Sequence, residues 1–222
     1  MPIPQQKEPT ERTTAKERIY RTLSQWIIDG TLEPDERLND VELAQYFSVS
    51  RTPVREALQL LSEQKLVHIV PSSGTYVAPV DPEDMRYVYE LLGGLQALAL
   101  EAGIARITPE DLAHLTALND TFLKCADSGR AAAANEADFK FHHYLCELAG
   151  NPYLIAFSDQ LSLQARRNEN RFFKEYARPQ DSYAAHGRIL EALRTGDLAR
   201  AQQEIRGNWT ISIPAPPHMR QP

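Results

Sequence analysis

The stretch from Ser48 to Leu58 limits the possible folds of this chain more than any other segment. Apolar residues recur there at helical spacing, which predicts a helix with a buried stripe of Val54, Ala57, Leu58 and Leu61. Ser50 precedes that helix and is expected to cap it with its hydroxyl group. Beside the stripe, a second wall carries Arg51, Thr52, Arg55 and Gln59. Arginine suits phosphate groups and guanine edges, although two arginines alone also fit a solvated amphipathic helix.

Two more helices are predicted before this one. A capping-box pattern over residues 14–17 begins the first, which is expected to end at Gly30. After a predicted turn over residues 32–38, Asn39 is placed to cap the second. Two short helices joined by a few residues form a helix-turn-helix pattern. The arginine-bearing helix is its second member.

A β-hairpin is predicted directly after the arginine helix. Residues 67–70 and 75–77 are β-prone, and the intervening Pro71-Ser72-Ser73-Gly74 is typical of a turn. Three helices followed by a hairpin make a winged helix, whose third helix enters the major groove of DNA. Residues 13–78 are therefore predicted to form a winged helix-turn-helix domain with a small β-hairpin wing and to bind double-stranded DNA.

Three motifs in this segment resemble the N-terminal domain of the GntR family of transcription regulators. They are Gly30-x-Leu32-x-Pro34, the segment 37–44 and the segment 49–58. The resemblance implies DNA contacts by the residues that match the family's motif, which are Arg37, Arg51, Thr52, Arg55 and Gly74. Ser72 and Ser73 stand where family members often carry basic residues, which predicts weaker contacts from the wing.

Composition restricts how this chain can hold DNA. The formal net charge is −6, and acidic residues outnumber basic ones in residues 1–80 as well. DNA-binding domains are usually more basic, so any contact must depend on a few well-placed arginines. The start is polar, the two cysteines form no zinc or disulfide pattern, and we expect no membrane-length apolar run of roughly 18 residues. These features predict a cytoplasmic protein without a membrane partner.

The remainder of the chain is predicted to be all α-helical. Residues 79–82 are interpreted as a linker and residues 83–212 as a bundle of six helices, with no strand pattern. Residues 1–12 and the proline-rich residues 213–222 are expected to be a disordered arm and tail. The predicted fold is mainly α, with an N-terminal winged helix-turn-helix and a C-terminal six-helix bundle.

Ionisable residues fall on apolar helix faces in this second half. Asp138 and His142 are one turn apart among Phe141 and Leu145, and His186 occupies a similar place in the fifth helix of the bundle. Burial of such groups is costly unless they are paired or bind a metal. A carboxylate with two imidazoles suits zinc, nickel or manganese. A purely structural hydrogen-bonded cluster remains the alternative.

Residues 82–212 also resemble a family domain, the FCD effector domain of the FadR subfamily. The match includes Asp138-x-x-x-His142, Gly150-Asn151-Pro152, and His186 followed by Gly196-Asp197. The resemblance implies a helical ligand-binding bundle in which an Asp and three His hold a divalent metal. Asn208 stands where the third histidine should fall, so weaker metal binding is expected.

An effector-binding arginine that the family often places near Leu92 is missing. The fourth helix of the bundle offers three replacements, Arg166, Arg167 and Arg171, and the alternative for most of them is a solvated helix face. We expect a small-molecule effector of a class that the sequence does not identify.

The predicted function is a ligand-responsive transcription regulator. We expect a repressor that binds an inverted repeat as a homodimer through the helical domain. The alternative is a helical metalloenzyme that uses the Asp138, His142 and His186 site. Such an enzyme needs a base near an open metal position, and no inward Glu, Lys or Ser stands out. An enzyme also has no use for the winged half, so enzymatic activity is not expected.

Overall fold

The structure, a computed structural model, describes residues 14–175 and 179–211. The predicted disordered arm and tail, residues 1–12 and 213–222, lie outside the described residues. The chain divides into two compact units, one that contains Leu32–Ala78 and one that contains all the described residues from Pro79 onward.

The first unit contains three helices and a small sheet. The helices are α1 Ala15–Asp29, α2 Asp40–Phe47 and α3 Arg51–Glu63, and the strands are β1 Arg37–Leu38, β2 Val67–Val70 and β3 Gly74–Val77. The antiparallel sheet has the order β1-β3-β2, and β2 with β3 forms the predicted hairpin. The apolar stripe of α3 is buried, as its spacing predicts.

The short strand β1 corrects the prediction of a turn over residues 32–38. Arg37 pairs with Tyr76 and Leu38 with Thr75 on the wing strand β3. A two-residue strand is too short to show an alternating pattern, so the sequence carried no signal for it. Its consequence is that Arg37 is held beside the wing.

Helix starts in this unit confirm two predictions and overturn one. The Thr14 amide donates to Glu17 at 2.9 Å and the Glu17 amide donates to Thr14 Oγ1 at 3.2 Å, which completes the capping box. Asn39 accepts from the Val41 amide at 3.0 Å. Ser50 was expected to cap α3 with its hydroxyl, but its side chain makes no capping hydrogen bond. The third helical residue is Pro53, which lacks one of the two amides that such a cap would use.

The described part of the second unit contains the six α-helices that the sequence predicted, and a short 3-10 helix, Ile104–Arg106, follows the first of them. The α-helices are α4 Pro82–Gly103, α5 Pro109–Asp127, α6 Ala131–Glu147, α7 Pro152–Glu175, α8 Pro179–Thr195 and α9 Leu198–Ile211. A main core lies among α4, α5, α6, α8 and α9 and includes Leu115, Phe141, Leu145, Ile189 and Ile205. Asp138, His142 and His186 are buried within this bundle.

Helix α4 corrects the expectation about membrane-length apolar runs. By length and composition alone, Glu83–Arg106 could cross a membrane, with a mean hydropathy of 1.2. In the folded chain α4 packs on α6, α7 and α9. Leu92, Gln96 and Leu100 are fully buried in that packing. A central position among three helices accounts for the apolar composition.

Candidate functional sites

A concave surface of about 420 Å³ gathers cationic residues of the first unit. Its walls come from β1, the start of α2, α3 and β3, and the site residues that it brings together are Arg37, Arg51, Arg55 and Gly74. Thr52, the fifth residue assigned to this site, is exposed on α3 but does not line the concavity.

Both arginines of α3 are bound to one carboxylate. Arg51 Nη2 lies 2.9 Å and Arg55 Nε lies 2.7 Å from the same oxygen of Asp40, at the start of α2. The Arg55 and Arg51 guanidinium groups hold the pKa of Asp40 below its ordinary value of 3.8. The two arginine side chains remain 63% and 52% exposed. They are fixed in place and yet open to a ligand.

Asp40 is a functional candidate that the sequence analysis missed. The available signal was its position at the start of α2, beside the cap Asn39. An acidic residue in a first helical turn is also explained by the helix dipole, so its position alone does not reveal a contact with α3.

Gly74 leaves room for the third arginine. It has a φ of +142°, and a Cβ atom placed there would lie 3.1 Å from Arg37 Nε. Any side chain would therefore press on the guanidinium group as well as strain the backbone. This arrangement gives the wing glycine a physical role, which is to let Arg37 lie against the hairpin.

The inward ionisable residues of the second unit converge, as the sequence predicted. His186 Nε2 lies 3.5 Å and His142 Nε2 lies 3.9 Å from the carboxylate of Asp138. One candidate ligand atom from each of the three residues lies within 4.8 Å of the others, and all three residues are buried. Asn208 on α9 joins them, with its Nδ2 atom 3.2 Å from His142 Nε2.

Two amide side chains orient the imidazole rings. Gln96 Oε1 is 2.9 Å from His142 Nδ1, and Asn119 Oδ1 is 2.9 Å from His186 Nδ1. Gln96 Oε1 also accepts from the Trp209 indole at 2.8 Å, while the Asn119 amide nitrogen donates to the Tyr183 carbonyl at 3.1 Å. These bonds fix both amides with oxygen toward the rings. An amide oxygen only accepts, so each histidine carries its proton on Nδ1 and turns an unprotonated Nε2 toward Asp138.

Burial sets the charge state of the cluster. It lowers the pKa of His142 well below the ordinary 6.5, with a smaller contribution from His186, and it lowers the pKa of His186 to about 3. Burial also raises the pKa of Asp138, against the opposing effect of Arg166. Among the described atoms, His186 Nε2 has no hydrogen-bond partner. The Nε2 lone pairs of His142 and His186 and the carboxylate of Asp138 face one point. These three groups form a donor set that fits a divalent cation.

The arginines proposed for the effector have different environments. Arg166 contacts the Glu136 carboxylate and lies 3.3 Å from Asn135 Oδ1. Arg167 is buried, with 5% of its surface exposed. The side chain of Arg171 lies outside the described residues. Arg166 is therefore held by neighbouring polar groups of α6.

Helix α7 contains an inward carboxyl that the sequence analysis did not find. Glu169 is 5% exposed, and burial, together with the nearby Asp138, raises its pKa. The expectation of no inward Glu or Ser was wrong, because Ser162 is buried on the same helix. These residues lie on a buried face with Ala165, and such a mixture of small and polar residues hides the helical period.

Together the two units define a class of protein. A winged helix exposes arginines on its third helix, and the same chain carries a helical bundle with a buried set of ligand-type side chains. This combination is typical of a DNA-binding regulator that responds to a ligand.

The chain belongs to the GntR family of bacterial regulatory proteins. The profile described as "Bacterial regulatory proteins, gntR family" matches residues 15–77, and the profile of the FCD domain matches residues 87–208. The protein is therefore a DNA-binding transcription regulator and not an enzyme, which removes the metalloenzyme alternative.

Curated relatives and a solved structure agree with this assignment. The HTH-type transcriptional regulator YdhC of Bacillus subtilis is 30% identical, over 86% of this chain and 86% of its own length. The HTH-type transcriptional repressor GlaR of Escherichia coli is 26% identical, over 88% and 92%. The structure of E. coli McbR/YncC has a TM-score of 0.79 at 20% identity, covering 91% of this chain and 96% of that one. At that identity the structural likeness concerns the fold.

Proposed function

We propose that this protein is a cytoplasmic, ligand-responsive repressor that binds an inverted-repeat operator as a homodimer. The observation that carries the proposal is the pair of exposed arginines, Arg51 and Arg55, fixed side by side on the third helix of a winged helix. A relative named as a repressor supports the direction of regulation.

Residues 13–78 would form the DNA-binding domain, and its contacts would involve Arg37, Arg51, Thr52, Arg55 and Gly74. Arg51 and Arg55 are one helical turn apart, so both reach the same groove. The forked guanidinium group matches the two acceptors on the major-groove edge of guanine. Arg37 lies against Gly74 at the wing, where a phosphate is the expected partner.

Alanine substitutions test the groove contact. An operator is first selected from random duplexes with the parent protein, and its affinity is then measured for Arg51→Ala and Arg55→Ala. Each variant should lose about 1–3 kcal/mol of binding free energy. Arg21→Ala, which removes an exposed arginine from α1, serves as the control for lost charge. Parent-like affinity in both α3 variants would show that α3 does not enter the groove.

Residues 83–212 would form the effector-binding and dimerisation domain. Tyr87, Leu91 and Leu98 are 51%, 55% and 52% exposed on α4. At 100° per residue they fall within an arc of about 40°, and Gly94 lies about 20° outside that arc. An exposed apolar stripe with a small residue beside it suits a facing helix, and a second copy offers the same stripe through a twofold axis. A twofold dimer matches an inverted repeat.

Sedimentation tests the dimer. The parent should sediment at twice the 25.1 kDa chain mass at micromolar concentration, and Leu91→Glu together with Leu98→Glu should give a monomer. Tyr46→Glu alters an exposed aromatic of the first unit and is the control. A parent that stays monomeric with and without DNA contradicts the proposal.

The buried cluster would hold a divalent cation such as zinc, nickel or manganese. Asp138, His142 and His186 would be its ligands, and Asn208 would turn its amide oxygen inward. In the structure Asn208 Nδ2 points at His142 Nε2, so the cation must displace that hydrogen bond. Binding should therefore be weaker than with a third histidine. Bound there, the cation would supply a Lewis-acidic position for an oxygen of the effector.

Equilibrium dialysis against each of the three metals tests this site. The parent should retain about one ion per chain, and Asp138→Asn and His186→Gln should retain much less. Asn208→His should bind more tightly, while the control His114→Gln, an exposed histidine of α5, should match the parent. Retention of none of the three metals would leave the hydrogen-bonded structural cluster as the explanation.

A further inference from the structure

One carboxylate oxygen of Asp40 accepts hydrogen bonds from both α3 arginines. Arg51 donates through Nε and Nη2 at 3.2 and 2.9 Å to one Asp40 oxygen, and Arg55 donates through Nε at 2.7 Å to the same oxygen. The carboxylate thus holds the Nε side of both guanidinium groups. The Nη1 and Nη2 groups of Arg55 lie outside this contact. They remain available to donate two hydrogen bonds to the O6 and N7 acceptors of one guanine.

Such a contact affects specific and non-specific DNA binding in opposite directions. An exposed arginine loses side-chain freedom when it binds a base, and a guanidinium already held in place loses less. A negative charge beside two positive ones also weakens their general attraction for phosphates, on which non-specific binding depends. A carboxylate in this position therefore favours base recognition over phosphate recognition.

We propose that Asp40 is a specificity-determining positioning residue, which orients Arg51 and Arg55 for base contacts and limits their binding to phosphates. The proposal rests on DNA binding through α3. If Arg51→Ala and Arg55→Ala leave operator binding unchanged, the proposed function itself fails. If those two variants lose binding and Asp40 variants behave as the parent does, only the role of Asp40 fails.

The test compares affinity for the selected operator with affinity for a scrambled duplex of equal length. Asp40→Asn should lower the ratio of the two affinities by about tenfold or more. It should also steepen the salt dependence of binding to the scrambled duplex. The slope of a plot of log affinity against log salt concentration should become more negative by about 0.9 for each additional phosphate that the protein neutralises. Glu56→Gln removes the same charge from an exposed position of α3 and should keep the parent ratio.

Two further variants separate positioning from a structural role. Asp40→Glu keeps the carboxylate and should retain the ratio within about threefold. Asp40→Ser also removes the carboxylate, but serine is favoured at helix starts, so this variant controls for any weakening of the start of α2 in Asp40→Asn. Asp40→Ser should lower the ratio of the two affinities as much as Asp40→Asn does.

A double-mutant comparison decides whether Asp40 acts through the arginines. In an Arg55→Ala background, the effect of Asp40→Asn on the ratio should shrink, because one of the two held groups is gone. The same full effect in that background would mean that Asp40 does not act through Arg55 and would overturn the proposal that it positions both arginines. A parent-like ratio in Asp40→Asn and Asp40→Ser would overturn it as well.

Discussion

The two units hold charge in opposite ways. In the winged-helix unit, two exposed guanidinium groups share one carboxylate, so positive charge remains in excess at an open surface. In the helical unit, a buried carboxyl faces two imidazoles whose lone pairs point inward, so the cluster offers electron pairs to an enclosed point. The first arrangement suits a polyanion and the second a cation. One chain therefore carries two sites of opposite polarity.

Substitution of the exposed arginines should weaken DNA binding and leave the buried cluster intact. Arg51→Ala combined with Arg55→Ala should reduce operator affinity by about 2–6 kcal/mol, since each arginine is worth about 1–3 kcal/mol. The same double variant should retain metal as the parent does, because the buried cluster uses none of these residues. Operator titration and dialysis on one preparation check both parts. Loss of metal binding in this variant would mean that the two sites are not separable.

A substitution beside the buried cluster should weaken metal binding. Asn119→Leu removes the acceptor that holds His186 Nδ1–H and should weaken metal binding about 10- to 100-fold. Its thermal unfolding in the presence of chelator should be compared with the parent, so that loss of fold is not mistaken for loss of affinity. The control is Gln25→Leu, which places leucine at an exposed position of α1. Asn151→Leu would not serve as a control, because Asn151 caps α7. Parent-like metal affinity in Asn119→Leu would exclude an orienting role.

The sequence predicted one of these sites more completely than the other. Arg51 and Arg55 lie on one helix, so helical spacing was enough to place them on one face. Asp138 and His142 were found for the same reason. The hydrogen-bond partners of the two imidazole rings, Gln96 and Asn119, come from α4 and α5. The sequence of those helices does not indicate which imidazole ring a polar side chain will contact. Contacts between elements distant in sequence depend on tertiary packing, which spacing along one helix does not contain.

Asp40 and the strand β1 were missed for related reasons. Asp40 meets α3 only because the turn after α2 brings the two helices together, and β1 exists only through its pairing with β3. Conversely, the six helices of the second unit were predicted because caps and glycine stops are local signals. Gly150 and Gly196, both at positive φ, lie after the last residues of α6 and α8, where a left-handed residue ends a helix.

Acid should destabilise the helical unit through the buried His186. His186 takes up a proton below pH 6.5 when the chain unfolds, whereas the folded chain excludes that proton down to about pH 3 because its pKa is lowered. Its contribution to the free energy of unfolding is therefore complete above pH 6.5 and is lost as the pH falls toward 3. The difference between the parent and His186→Gln should shrink by up to about 1.4 kcal/mol per pH unit.

Urea unfolding at several pH values between 7.5 and 4, with chelator present, measures that difference. His114→Gln, on the exposed surface of α5, supplies the control pair. A parent-to-variant difference that stays constant over this range would mean that His186 titrates normally in the folded chain and is not held as a buried neutral imidazole.

We propose that the enclosed cluster of the helical unit, Asp138, His142 and His186, is a metal centre. The most direct test is an anomalous difference map, recorded at the zinc absorption edge, from crystals of the zinc-loaded protein. We predict one peak per chain about 2.0–2.2 Å from Nε2 of His142, Nε2 of His186 and a carboxylate oxygen of Asp138. The absence of a peak at that point, or zinc bound only to surface residues, would contradict the account.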